Sequence, residues 1–120
     1  MRTDAMTIIL RELNGTSADI EASALVSRDG LMMVSQLPAG MDEDRIGAMS
    51  AAMLALGSRS AQELACGTLE QLMVKGDQGY VLMTGAGKEA VLTLVAKPSA
   101  KLGLIFLDVK RAAEGLAKLI

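Results

Sequence analysis

From residue 42 to residue 66 the apolar side chains recur with a helical period: Ile46, Met49, Met53, Leu56, Ser60 and Leu64 follow i, i+3, i+4 spacing. That spacing predicts one long helix whose bulky stripe lies on a core. Asp42 is the expected N-cap, Glu43 and Asp44 fall in the first turn where the helix dipole favours carboxylates, and Gly67 is the expected C-terminal stop. Such a helix would run roughly 37 Å at 1.5 Å per residue, about the width of a domain of this size. On the other side stand Ala48, Ala51, Ala52, Ala55, Arg59 and Gln62, so a face that should carry charge is shaved down to alanine. A helix apolar on one side and smooth on the other suits two packing partners, and the second is expected to be another chain.

The remaining segments alternate periods of about 3.6 and 2. Residues 3–13 read as a helix with Met6, Ile9, Leu10 and Leu13 on one face, capped by Thr3 or Asp4 and closed by a left-handed Asn14-Gly15. Residues 20–27 and 31–36 read as strands joined through Asp29-Gly30, the signature of a type I′ hairpin. Leu37-Pro38-Ala39-Gly40 then breaks the strand and feeds the long helix. Three more strands follow Gly67, at 68–75, 79–84 and 89–96. The turns Gly76-Asp77-Gln78 and Gly85-Ala86-Gly87-Lys88 are short enough to make these antiparallel neighbours. The last strand is apolar on both faces, which places it centrally with helices on both sides. Pro98 ends it, and Ser99 is the expected cap of a final helix carrying Leu102, Ile105, Phe106, Val109, Ala112, Ala113, Leu116 and Leu119, with Gly103 allowing close packing on the sheet.

The element order α-β-β-α-β-β-β-α thus predicts an α+β fold with a five-stranded antiparallel sheet covered by helices. No repeat, linker or low-complexity segment divides the chain, so residues 1–120 are read as one domain.

Composition narrows the function. At 51% hydrophobic and 22% charged the chain is of the globular class. Phe106 and Tyr80 are its only aromatic residues, so its nine methionines and small aliphatics are expected to fill the core. Its apolar runs, such as 90–96, are too short to insert in a membrane and its N-terminus lacks a signal-peptide core, which points to the cytoplasm. A net charge of −2 without a basic cluster argues against nucleic acid. The absence of histidine removes Ser-His-Asp and Cys-His chemistry and histidine metal sites. Cys66, the single cysteine, is read as a buried, inert thiol.

Three stretches invite a chemical reading, and each has a plainer one. Thr84-Gly85-Ala86-Gly87-Lys88 lacks the glycine and the Ser/Thr of a phosphate loop, whose positions hold Leu82 and Glu89, and a strand rather than a helix follows it. Asp42, Glu43 and Asp44 are helix caps and dipole partners rather than metal ligands. Met32, Met33, Met49 and Met53 are core filler rather than a cofactor box. No catalytic, cofactor or metal site is expected, and an enzyme is the least favoured class.

The run Ala24-Leu25-Val26-Ser27-Arg28-Asp29-Gly30-Leu31, then Pro38, the alanine-rich helix, Gly67 and three strands, resembles the Roadblock/LC7 family. So does Lys101-Leu102-Gly103-Leu104-Ile105 with the downstream Arg111-Ala112-Ala113. The resemblance covers nearly the whole chain. It implies a strand order 2-1-5-4-3, one long helix on one face and two helices on the other. It also implies a homodimer in which third strands pair edge to edge and long helices pack side by side. Members of this family are non-enzymatic regulators or scaffolds of small Ras-like GTPases or light chains of motor complexes such as dynein, and bacterial members commonly work with a polarity or gliding GTPase.

The residues meet that implication at two places. The strand at 68–75 lies on the outer side of the meander yet carries Leu69, Leu72, Met73 and Val74 on both its faces, unusual for an edge left in water. The alanine face of the helix would let a second helix approach to about 8–10 Å. The expected dimer and partner surface is therefore Ala48, Ala51, Ala52, Ala55, Arg59, Gln62, Leu69, Gln71 and Met73, with Arg59 either simply solvated or touching a partner near the dimer axis. The leading function is a homodimeric module that binds and regulates or scaffolds a small GTPase. The alternatives are a small-molecule sensor with a methionine-lined pocket and a purely structural bridging subunit.

Overall fold

The computed structural model describes all 120 residues. Its elements are α1 (Arg2–Thr16), β1 (Ile20–Ser27), β2 (Met32–Gln36), α2 (Glu43–Glu63), β3 (Gln71–Gly76), β4 (Gly79–Ala86), β5 (Ala90–Ala96) and α3 (Leu102–Ala117). The strands form one antiparallel sheet in the order β2-β1-β5-β4-β3. The doubly apolar β5 is its centre, paired with β1 through Leu25↔Leu92 and with β4 through Leu82↔Leu94. Alternation along β5 splits the two layers. Leu92 and Leu94 join Leu25 and Leu82 beneath α1 and α3, where Met6, Leu10, Leu13, Ile105, Val109 and Leu116 complete the main core. Thr93 points to the other face, which α2 covers. No residue of α2 belongs to that main core.

Several local expectations change in three dimensions. Of the nine methionines only Met6 and Met83 are buried, and branched aliphatics and alanine fill the core instead. α1 starts at Arg2 with no side-chain cap from Thr3 or Asp4, and it runs through Asn14-Gly15 to Thr16. Asn14 serves as a clip rather than a stop: its Nδ2 donates to the Gln36 carbonyl at 3.2 Å and its Oδ1 accepts from Ser23 Oγ at 2.6 Å, tying α1 to both β1 and β2. In the β1–β2 turn only Gly30 is left-handed, at φ 94°, so the turn is not type I′. It closes instead through Gly30 N to the Ser27 carbonyl, 3.0 Å, and Leu31 N to Ser27 Oγ, 3.0 Å. β3 begins at Gln71, three residues later than expected, and β4 continues to Ala86, so the β4–β5 loop is Gly87-Lys88-Glu89. α3 has Lys101 at its N-cap position without a side-chain bond, Ser99 lying outside it, and Gly103 faces open space rather than the sheet.

Asp42 does cap α2, accepting from Asp44 N at 2.9 Å and Arg45 N at 3.2 Å. The helix ends at Glu63, before Gly67, because Ala65 takes the left-handed conformation at φ 61°. A side chain there costs about 1–2 kcal/mol that glycine avoids. Ala65→Gly is therefore expected to raise the stability by about 1 kcal/mol, read as a higher denaturant midpoint; an unchanged or lower midpoint would show that Ala65 is not strained.

Candidate interaction surface

α2 meets the sheet with its smallest residues. A Cβ on Gly47 would stand 2.4 Å from the Gly30 carbonyl oxygen, so helix and β1–β2 turn are in backbone contact at this point. One turn on, Ser50 and Thr93 share a buried hydroxyl hydrogen bond of 2.9 Å. Gly57 lies over Leu69 and Leu72, whose methyl carbons are 3.2 and 3.5 Å from the site of a Cβ. These contacts set the rotation of the helix about its axis, and they turn its bulky stripe away from the core. Met49, Leu56 and Leu64 are 49%, 68% and 75% exposed, while Ile46 and Met53 are half-buried. The helical period is as the sequence predicts, but the stripe expected to hold the fold is an outer surface.

The alanine set divides. Ala48, Ala52, Ala55, Arg59 and Gln62 are exposed, whereas Ala51 is half-buried with its Cβ beside Gly30. Arg59 is not an isolated charge, since its Nε donates to Glu63 Oε1 at 2.9 Å in an exposed i,i+4 pair, worth a few tenths of a kcal/mol. The acidic residues at the start of α2 are locally engaged: Asp42 caps the helix and Glu43 accepts from Ser35 Oγ at 2.9 Å.

Met53, Leu56, Leu64, Leu69, Leu72 and Val74 line an open groove of about 490 Å³ between α2 and β3. Its lining is almost wholly apolar, with Gly57, Ser60 and Ala61 leaving room along the helix. Cys66 sits at its end and is exposed, not buried as its position in the sequence suggested. β3 is the last strand of the sheet, so its outer backbone groups have no strand partner. Its Leu72 and Val74 pair with Met83 and Val81 on the α2 side. Gln71 and Met73 pair with Thr84 and Leu82 and face the α3 side instead, so they and Leu69 do not share one surface. Sequence reasoning missed Met49, Leu56 and Leu64 as surface residues. The usable signal was glycine and serine at 47, 50, 57 and 58, small residues at helical spacing that mark a close approach.

A second, smaller cavity of about 220 Å³ lies beneath the C-terminal half of α2. Leu54, Ser58 and Gln62 form its helix wall, and Leu72, Met83 and Val91 its floor. At its rim Arg28 donates through Nε to the Lys88 carbonyl, joining the β1–β2 and β4–β5 turns. The Thr84–Lys88 stretch is thus a hairpin end in mutual support with its neighbour. No helix of the protein is long and apolar enough to cross a membrane.

This arrangement has close parallels. Protein MJ1340 of Methanocaldococcus jannaschii is 43% identical over 106 residues, covering 88% of this chain and 91% of that protein. MJ0310 of the same organism is 42% identical with the same coverage. Among solved structures, the chain is similar to an MglB described in a tetrameric arrangement, with a TM-score of 0.90, 24% identity, and coverage of 98% of this chain and 89% of that one. It is likewise similar to the gliding protein MglB of Thermus thermophilus, with a TM-score of 0.87, 22% identity, and coverage of 98% and 90%. The Roadblock/LC7 domain model matches residues 8–96. With the strand order, the α2-covered sheet and these relatives agreeing, the chain belongs to the Roadblock/LC7 domain family.

Proposed function

We propose that this protein is a non-enzymatic, homodimeric interaction module that regulates or scaffolds a small Ras-like GTPase in the cytoplasm, its 120 residues acting as one domain. The observation that carries the dimer is the groove between α2 and β3, apolar and directly beside an unpaired strand edge. A second copy laid antiparallel along β3 would satisfy the free backbone groups, and its own α2 would cover Met49, Leu56 and Leu64. Ala48, Ala52 and Ala55 border this stripe and would let the two helices approach closely. Leu69 takes part from the groove, while Gln71 and Met73 would contribute through the paired strand edge rather than through α2.

The GTPase partner rests on family membership and on likeness in fold to MglB, one example of which is named a gliding protein. The paired helices and the exposed Arg59 and Gln62 would form part of the docking surface. The test uses the purified protein as bait for Ras-like GTPases of its own genome, each loaded with GDP or a non-hydrolysable GTP analogue. Capture in one nucleotide state and not the other is the expected result. Capture of none in either state would remove the GTPase from the proposal while leaving the dimer to be judged by sedimentation. Arg59→Glu is expected to weaken that capture, and unchanged capture would remove Arg59 from the docking surface. The pocket beneath α2 contains one methionine, Met83, and so gives the methionine-lined ligand site no particular support.

A further inference from the structure

We infer that α2 is held in two unequal halves, a fixed N-terminal half and a C-terminal half that moves against the sheet, and that this movement sets the shape of the docking groove. The inference concerns regulation of the surface proposed above, but it rests on contacts within one chain. The N-terminal half is pinned by rigid groups. Glu43 is bonded to Ser35 on β2, Gly47 is in contact with the Gly30 backbone, and Ser50 is bonded to buried Thr93. None of these can give way without breaking a hydrogen bond or shifting the β1–β2 turn.

From Leu54 onward the attachment is of another kind. Gly57 rests on the methyl ends of Leu69 and Leu72, flexible tips rather than backbone. Beyond it, the cavity of about 220 Å³ separates Ser58 and Gln62 from Met83 and Val91. This open pocket puts solvent rather than packed side chains between that half of the helix and the sheet, so little opposes a small inward or outward displacement. The Cys66 amide donates to the Ala61 carbonyl at 2.7 Å, so the helix end is closed locally rather than onto the sheet. Leu56 and Leu64 ride on this half, and any displacement carries them across the groove they line. A partner that prefers one position of the half-helix would select it from those already sampled, which is how a packed surface without chemistry can report that it is occupied.

Amide hydrogen exchange followed by mass spectrometry tests this on the intact protein at several concentrations. Amides of residues 54–63 are expected to exchange at least about tenfold faster than those of 46–53. Ser58→Leu, which fills the cavity from the helix, is expected to remove most of that difference without changing residues 46–53. Val91→Leu fills it from the sheet and decides the matter should Ser58→Leu fail to fold. A gradient that persists on dilution in a protein that sediments as a monomer supports the inference and sinks the dimer. A gradient present on dilution and lost at high concentration supports both. Equal exchange in the two halves at every concentration, or a gradient that neither filling substitution alters, overturns it.

Discussion

Gly47→Ala is expected to destabilise the protein by about 2 kcal/mol, although alanine in place of glycine inside a helix ordinarily stabilises by about 1 kcal/mol. The reversal comes from the 2.4 Å that would separate the new Cβ from the Gly30 carbonyl oxygen. Backbone atoms on both sides of that contact cannot rotate away as a side chain can. Either α2 lifts off the sheet, which strains the Ser50–Thr93 hydrogen bond, or the turn at Gly30 moves. For a chain of this length the loss corresponds to a melting temperature lower by about 8 °C. Gly103→Ala is the control, since Gly103 lies in α3 with open space around it, and it should be neutral or gain up to about 1 kcal/mol. Equal effects of the two substitutions would show that α2 does not approach the turn as described.

Leu56→Glu is expected to leave the monomer folded and to weaken self-association at least about 100-fold, the order of loss found when a central interface residue is removed. Leu56 is 68% exposed, so the fold loses little when it becomes polar, and the melting temperature measured under dissociating conditions should barely change. In the dimer the same carboxylate would be buried against the partner's apolar stripe, and the nearest cation on its own helix, Arg59, is already paired with Glu63. Sedimentation at micromolar concentration separates the outcomes. A wild-type protein that is already monomeric, or a variant that dimerises as well as the wild type, would rule out the groove as the dimer surface. Ala52→Glu probes the neighbouring alanine face in the same assay. If only Leu56→Glu dissociates the protein, the contact is made by the bulky stripe; if both do, the alanine face shares it.

Much of the fold was legible because local chemistry and tertiary structure agree. Asp42 caps α2, β1 spans residues 20–27 as expected, and β5 lies centrally as its two apolar faces required. Asn14, Thr3 and Ser99 carry side chains able to cap a helix, but Asn14 has partners on β1 and β2 that outcompete the local role, while α1 and α3 begin without side-chain caps. Cys66 is exposed because α2 ends at Glu63, two residues before the left-handed Ala65, leaving the thiol at the groove's end rather than beneath the helix.

The long helix from Asp42 shows where the two sources of information part. Sequence alone determined that it exists, where it begins, and that it has one bulky and one smooth side, since these follow from a 3.6-residue period and from capping chemistry acting within a few residues. It could not determine which side meets the sheet, because burial of large apolar residues is a tendency that a closer approach can override. The direction was set by Gly47 against Gly30 and Ser50 against Thr93, contacts between residues 17 and 43 positions apart that exist only once the sheet has formed. Small residues let backbone meet backbone there, and the large side chains were left on the outside, beside the β3 edge that has room for a partner.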